Sequence, residues 1–456
     1  MVKSVAIFSR RTLQNLVNEN SRFTARAGTL RHVSALNNMN DDAPGALSAE
    51  WEIVVLNSLS KLGRIDYEPP LGGSSRLDVH FLHSDPDIGA FSADITAVSD
   101  RALESDNPVE EFSVMMFSEI RKQGLDPDCF SVRIGDNRNE LRGTNDRPTV
   151  KLPPQHEFRR RVFNSDFTRF LQEVKGAPSQ QRYLHVKSPG VDVYIQYVPG
   201  QRFSFMSHLS YTEPHTITRN PVANALKMKA KQLKKSGYTG PVGIFLCDSG
   251  CEAAANLSRA SNSGAIVKEF LRTNTSIAFV QVLAVSPTQA RDWAAERFRV
   301  ATRVYTGRNA KPLPPKLVEF LSGLATTMPR PEQEPLNARY RVSSLGLPNE
   351  GLAFRGAFKM TYPTVTISAR SLLEFLSGRI DSQRFMAEMG FVPGRQHKGC
   401  PNPFETMLNE GRLIRDIRVE GCPTRDDDWV TIAFSDPDPA VSPFVVPDPA
   451  PPGHSA

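Results

Sequence analysis

Residues 48–100 read SAEWEIVVLNSLSKLGRIDYEPPLGGSSRLDVHFLHSDPDIGAFSADITAVSD. A helix over Ser48–Gly63 is predicted, with Gly63 as its stop, followed by short strands around Ile65–Tyr67, Leu77–Leu82 and Ala90–Val98. Within the last strand Ala93, Ile95 and Ala97 point one way, while Asp94 and Thr96 point the other. Aspartate is depleted in strands, and a carboxylate in a sheet core must be paired, protonated or bound to a cation. Asp78 follows the turn-forming LGGSSR and enters the neighbouring strand. On a helical wheel Glu52 falls among Val55, Leu56 and Leu59, whereas Glu50 falls beside Ile53, Val54 and Asn57 on a more polar flank. Glu52, Asp78 and Asp94 are therefore the expected metal ligands, an oxygen-rich set suited to Mg2+ or Mn2+.

Downstream, a helix rich in Phe112, Met115, Met116 and Ile120 precedes a strand at Phe130–Ile134 and a polar loop to Val150. One basic amphipathic helix is predicted over HEFRRRVFNSDFTRFLQEV, then a hairpin turning at Pro189–Gly190. These segments read as an insertion over about 101–219, because core-like alternation resumes at Asn220. There a helix (PVANALKMKAKQLKKSG), a buried strand (PVGIFLCD), a helix near Ala265–Thr273, a strand (IAFVQVLAV) and a helix (SPTQARDWAAERF) follow one another, the mark of an α/β layer with a parallel portion. The helix after Asn220 carries an apolar stripe of Val222, Leu226, Ala230 and Leu233, and Lys229 falls inside it. Lys227, Lys231, Lys234 and Lys235 lie on the other side and, with Arg159, Arg160 and Arg161, are the expected phosphate contacts.

These elements resemble the PD-(D/E)xK nuclease superfamily, particularly archaeal Holliday-junction resolvases and methyl-directed restriction endonucleases. There a helix Glu precedes a terminal Gly by eleven positions, as Glu52 precedes Gly63. A glycine-containing turn then leads to Pro-Asp, matched by LGGSSRLD with Leu77 in place of proline, and an acid is followed two positions on by Lys, matched by Asp94-Ile95-Thr96 with Thr96 in place of lysine. A later helix carrying a Gln corresponds to Lys229–Gln232 and its surroundings. The resemblance implies a restriction-endonuclease-like mixed sheet flanked by helices, a magnesium-dependent nuclease activity with DNA as the expected substrate, and Glu52, Asp78, Asp94, Thr96, Lys229 and Gln232 as site residues. Lys229 is the expected substitute for the lysine absent at Thr96. A nuclease-like protein that has lost its chemistry and acts as a nucleic-acid-binding or scaffold subunit is the alternative reading, and a homodimer or a partner protein is left open.

The rest of the chain bounds this reading. A length of 456 residues exceeds one ordinary core, and the expected layout is an arm at 1–45, a nuclease-like α/β domain at 46–304, a smaller C-terminal α+β region at 305–435 and a disordered tail at 436–456. That tail, DPDPAVSPFVVPDPAPPGHSA, holds seven of the 35 prolines. A net charge of +6, from 55 Lys+Arg against 49 Asp+Glu, permits a polyanion partner without demanding one. Five scattered cysteines argue against a disulfide framework and for a cytoplasmic, reducing compartment, and no apolar run is long enough to span a membrane. His397, Cys400 and Cys422 lack a fourth zinc ligand at a recognisable spacing.

Overall fold

The computed structural model describes residues 6–37, 43–70, 77–141, 146–201, 203–212, 214, 216–257, 264–288, 298–307, 313–335, 358–382, 385–386, 389, 402–421 and 428–441. The predicted helix over 286–298 falls largely outside them, as do His397, Cys400, Cys422 and residues 442–456 of the tail. Two units divide the chain, Met1–Gly351 and Leu352–Ala456.

The segment expected to be an arm is helical. Helix α1 (Arg10–Asn20) begins where the Ser9 side chain accepts the amide of Thr12, and Leu13, Leu16 and Val17 form its buried stripe. Helix α2 (Arg26–Asn37) buries His32, and both helices pack on α3 (Ala43–Ser60). The stripe was hidden by the many polar residues around it. α3 is apolar on nearly every side, with Trp51, Ile53, Val54, Val55, Leu56 and Leu59 fully buried. The helical wheel is thereby inverted. Glu50, not Glu52, is fully buried, and its Oε2 accepts the amides of Ile7 and Phe8 at 2.9 and 3.1 Å. A helix enclosed all round has no polar flank to read.

Strands β1 (Arg64–Tyr67), β2 (Val79–Leu82) and β3 (Ala90–Val98) form an antiparallel meander against α3. The chain then leaves this sheet and builds a second core of its own. Helices α4 (Arg101–Glu104) and α5 (Val109–Lys122) lead to β4 (Phe130–Ile134); α6 (Phe158–Arg161) and α7 (Ser165–Gly176) precede β5 (Arg182–Ser188), β6 (Val191–Tyr197) and β7 (Phe205–Ser207). The one long basic helix expected here is two, because the Asn164 side chain caps α7 by accepting the amides of Asp166 and Phe167. The four strands pair in the order β5-β6-β4-β7, with Phe112, Phe130, Phe170, Val193 and Ile195 in the core beneath them.

Helix α8 (Pro221–Lys234) returns the chain to the first sheet. Asn220 caps it by accepting the amide of Ala223, Pro221 sits at its first position, and Gly237 follows it at φ +75°. β8 (Val242–Asp248) pairs parallel to β3, setting Asp94 beside Ile244. After α9 (Glu252–Leu257) and α10 (Gly264–Thr273), β9 (Phe279–Pro287) runs parallel to β8, and β10 (Phe298–Thr306) closes the edge antiparallel. The result is a six-stranded mixed sheet, β1-β2-β3-β8-β9-β10, with α3 on one face and α8 and α10 on the other.

Helix α11 (Pro315–Gly323) buries Leu317 and Leu321 in the same core as α3. The first unit thus extends past residue 304, the expected end of the nuclease-like α/β domain. The second unit is a four-stranded antiparallel sheet, β11-β12-β14-β13, built from β11 (Phe358–Thr361), β12 (Thr364–Ser368), β13 (Ile414–Glu420) and β14 (Trp429–Phe434) with helices α12 (Ala369–Leu376) and α13 (Pro403–Asn409). α12 ends at Leu376, and Gly378 turns the chain just beyond it at φ +72°. No helix among the described residues is long and apolar enough to cross a membrane.

Candidate active site

Register brings the two aspartates together. Val79 pairs with Ala93, so Asp78 enters β2 alongside Asp94 and on the same face of the sheet. The amide of Asp78 donates to Asp94 Oδ1 at 3.2 Å, and the amide of Ile95 donates to Asp78 Oδ2 at 2.7 Å. Lys229 descends on them from α8, its Nζ 3.6 Å from Asp94 Oδ2 and 3.7 Å from Asp78 Oδ2. Asp94 is completely buried, while Asp78 and Lys229 each keep a fifth of their side chain exposed. Thr96 stands two positions beyond Asp94 on β3, half-buried, and Gln232 is half-buried on α8 three positions beyond Lys229.

One ammonium faces two carboxylates, and the charges do not balance. Burial pushes Asp78 up to about 7, with Lys229 opposing and Asp94 and Glu52 adding to the rise. Burial raises Asp94 too, against the pull of Lys229 and the amide of Asp78. Asp94 Oδ2 is buried and has no hydrogen-bond partner among the described residues, the Lys229 Nζ facing it at 3.6 Å as an ion pair only.

Glu52 does not join this group directly. Its Oε1 accepts from the Tyr67 hydroxyl at 2.9 Å and lies 3.0 Å from His32 Nε2. Burial lifts the Glu52 carboxyl, but the hydrogen bond and charge of His32, with Tyr67 and Arg31 behind them, outweigh it and hold the group below its ordinary value. Arg31 in turn bonds the Tyr67 hydroxyl and, at 2.6 Å, Glu68. His32 escaped the sequence reading because it lies in the supposed arm. Tyr67, at the end of the first predicted strand, could have been found as a hydroxyl close behind Gly63.

Among the described residues, no three His, Cys, Asp or Glu side chains are grouped to hold a metal ion. Magnesium, however, is commonly held by one or two carboxylates, with water and substrate phosphate completing its shell. Asp78 and Asp94 fit that requirement, and the orphaned Asp94 Oδ2 is the atom a cation would satisfy.

Of the expected phosphate contacts, Lys231, Lys234 and Lys235 are exposed on α8, and Lys227 Nζ donates to the Thr218 carbonyl at 2.6 Å. The arginines are otherwise engaged. Arg160 and Arg161 lie 2.6 and 3.2 Å from Glu157, Arg161 also holds Ser188 and the Pro189 carbonyl, and Arg159 lies 3.9 Å from Glu119. Two other arginines were missed. A cavity of about 460 Å³ opens where β3 ends and α8 begins, lined by Ser99, Arg147, Arg219, Asn224 and Met228, the last adjacent to Lys229. Neither arginine makes a side-chain hydrogen bond or ion pair with the described residues. Their signal was positional, because the end of β3 adjoins the parallel strand β8, a place where α/β sheets receive ligands. The nearby buried Asp248 accepts the amides of Gly250 and Cys251, and Asp100 accepts that of Glu252, so both help to fix the start of α9.

No family model, curated protein or solved structure matches this chain.

Proposed function

We propose that the protein hydrolyses phosphodiester bonds in nucleic acid, with DNA as substrate, using Mg2+ or Mn2+ held by Asp78 and Asp94. One observation carries the reading: Lys229, from a helix distant in sequence, places its ammonium within 3.7 Å of both aspartates. That supplies the cation missing at Thr96. The succession of a helix, three antiparallel strands, a helix and a strand parallel to the third also supports the likeness to PD-(D/E)xK nucleases. When bound, the metal would acidify a water and offset charge on the phosphate. Lys229 would hold the phosphate oxygen on which charge grows, Thr96 could offer only a hydroxyl, and Arg147 and Arg219 would attract the flanking backbone.

The test is incubation of linear, circular and branched DNA with either metal. Cleavage is expected from the wild type and should be lost in Asp78→Asn, Asp94→Asn and Lys229→Met, each checked to be folded. Absence of a metal-dependent product on any substrate would overturn the proposal. Glu52, held by His32 and Tyr67 rather than by the aspartates, favours a second reading, an inactive nuclease-like nucleic-acid binder. Metal-independent binding without cleavage would identify that one.

A further inference from the structure

The sheet β5-β6-β4-β7 has its core on one face only, the one carrying Val132, Val193 and Ile195. The opposite face is open and aromatic. Tyr183 and Phe205 are 70% and 57% exposed, and the rings of Tyr183 and Tyr194 lie nearly parallel, 19° apart with centroids at 6.1 Å. On the next strand the Arg133 guanidinium lies 5.4 Å from the centre of the Tyr194 ring. Phe205 continues the row on β7, opposite Ser131. Beside it Gln201 bonds both Ser131 and the Phe203 carbonyl, which fixes the loop presenting another exposed ring, Phe203.

We infer that this face binds single-stranded nucleic acid, with unpaired bases stacking on Tyr183, Tyr194 and Phe205 and with Arg133 and Lys187 meeting the phosphates. Three features select this occupant. First, every base has a flat face that an aromatic ring can cover, but in a duplex those faces are hidden within the stack, so a row of exposed rings on a four-stranded sheet suits unpaired strands. Second, the charge is complementary to a polyanion: neither Arg133 nor Lys187 has a carboxylate partner among the described residues, and the only acid on the four strands, Asp192, lies 2.8 Å from His185 Nε2. Third, no outward-facing position on these strands is aliphatic and charged and polar side chains alternate with the rings, whereas the centre of a self-association surface is more apolar and depleted of charge. This face belongs to the inserted segment and shares no residue with the aspartates, so its binding does not depend on the proposed cleavage.

The experiment is fluorescence anisotropy of labelled 15-nucleotide oligo-dT, oligo-rU and a 15-base-pair duplex, with full-length Asp94→Asn protein in EDTA so that no cleavage intervenes. Single strands should bind more tightly than the duplex. Tyr183→Ala with Tyr194→Ala should weaken that binding about tenfold or more, leaving the duplex affinity unchanged. Phe205→Ser on the short strand β7 tests the same row without touching the hairpin, Tyr183→Trp should restore binding, and Arg133→Gln should flatten the salt dependence by about one ion. The inference is overturned if the folded Tyr183/Tyr194 and Phe205 variants bind single strands as the parent does. It is equally overturned if the same substitutions abolish a concentration-dependent dimer instead, which would make the face a self-association surface. Failure of the cleavage assay would leave these results standing.

Discussion

The backbone amide of Asp78 donates to the side chain of Asp94 at 3.2 Å, and the residue after Asp94 donates its own amide back to Asp78. Each carboxylate is therefore positioned by the strand that carries the other, and neither can move without loosening the pairing of β2 with β3. The pair is held rigidly together with a deficit of positive charge.

Lys229→Met should destabilise the fold. Removing one partner from a buried ion group leaves its carboxylates uncompensated, at a cost of about 3 kcal/mol. We expect that loss in denaturant unfolding at pH 8 and a smaller one at pH 5, where the aspartates can take up protons. Lys231→Met, exposed on the same helix, should change little. Equal stability of the two variants at pH 8 would show that Lys229 does not compensate the aspartates.

The pH dependence follows from the direction of the shifts. Asp78 and Asp94 have folded pKa values above their ordinary 3.8, so the folded state binds their protons more tightly, and their contribution to stability falls as pH rises above 3.8, a loss that for Asp78 is complete only past about 7. Asp94→Asn removes one of the repelling charges. In metal-free buffer its unfolding midpoint should exceed that of the wild type by about 1–2 °C at pH 8, the effect of roughly 1 kcal/mol on a unit as large as Met1–Gly351, and the difference should close near pH 5. A gain of the same size at both pH values would rule out a titrating origin.

Magnesium or manganese should reverse that order. A ligand at 100 times its dissociation constant stabilises the state that binds it by about 2.7 kcal/mol, so the wild-type midpoint should climb with metal and fall again with EDTA. Asp78→Asn and Asp94→Asn should not respond. A metal response that survives in both would place the ion elsewhere.

Local sequence pattern carried the reading where one face of an element was polar and the other was not. The alternation of β3 marked Asp94 correctly as a charge within a sheet, and the stripe of α8, with Asn220 and Gly237 at its ends, put Lys229 on the face that meets Asp94. Where burial is uniform, as in α3, periodicity has nothing to report, and Glu50 and Glu52 exchanged places. Partnerships across the fold were equally silent. Arg160 and Arg161 read as free cations, but Glu157 lies within one turn of them, and the row formed by Tyr183, Tyr194 and Arg133 exists only once three strands are in register.

Glu50 should prove structural. Its carboxylate receives the amides of Ile7 and Phe8, both in the fully buried segment that precedes α1. Glu50→Leu would strand both donors, each at about 1–3 kcal/mol. Hydrogen exchange should accelerate at those two amides, and Glu50→Gln, which keeps one acceptor, should lose less. Unchanged exchange at Ile7 and Phe8 in Glu50→Leu would mean that the amides find another partner.

The parallel pairing of β3 with β8 joins Ser92 to Val242, 150 positions later. A disordered loop of that length would have to be closed before the central sheet gained a single bond across the join, and the entropy lost grows with the logarithm of the number of residues. The inserted segment shortens that search. It has a core of its own, and its two ends, at Ala102 and Thr216, line the same cavity, so once folded it acts as a short clasp. Folding should then proceed from the inside of the sequence outward, with amides of β4 and β6 protected in pulse-labelling before those of β8. Simultaneous protection of all three would instead make the two cores one cooperative unit. On this ordering the middle of the chain sets the rate at which its flanks become a sheet.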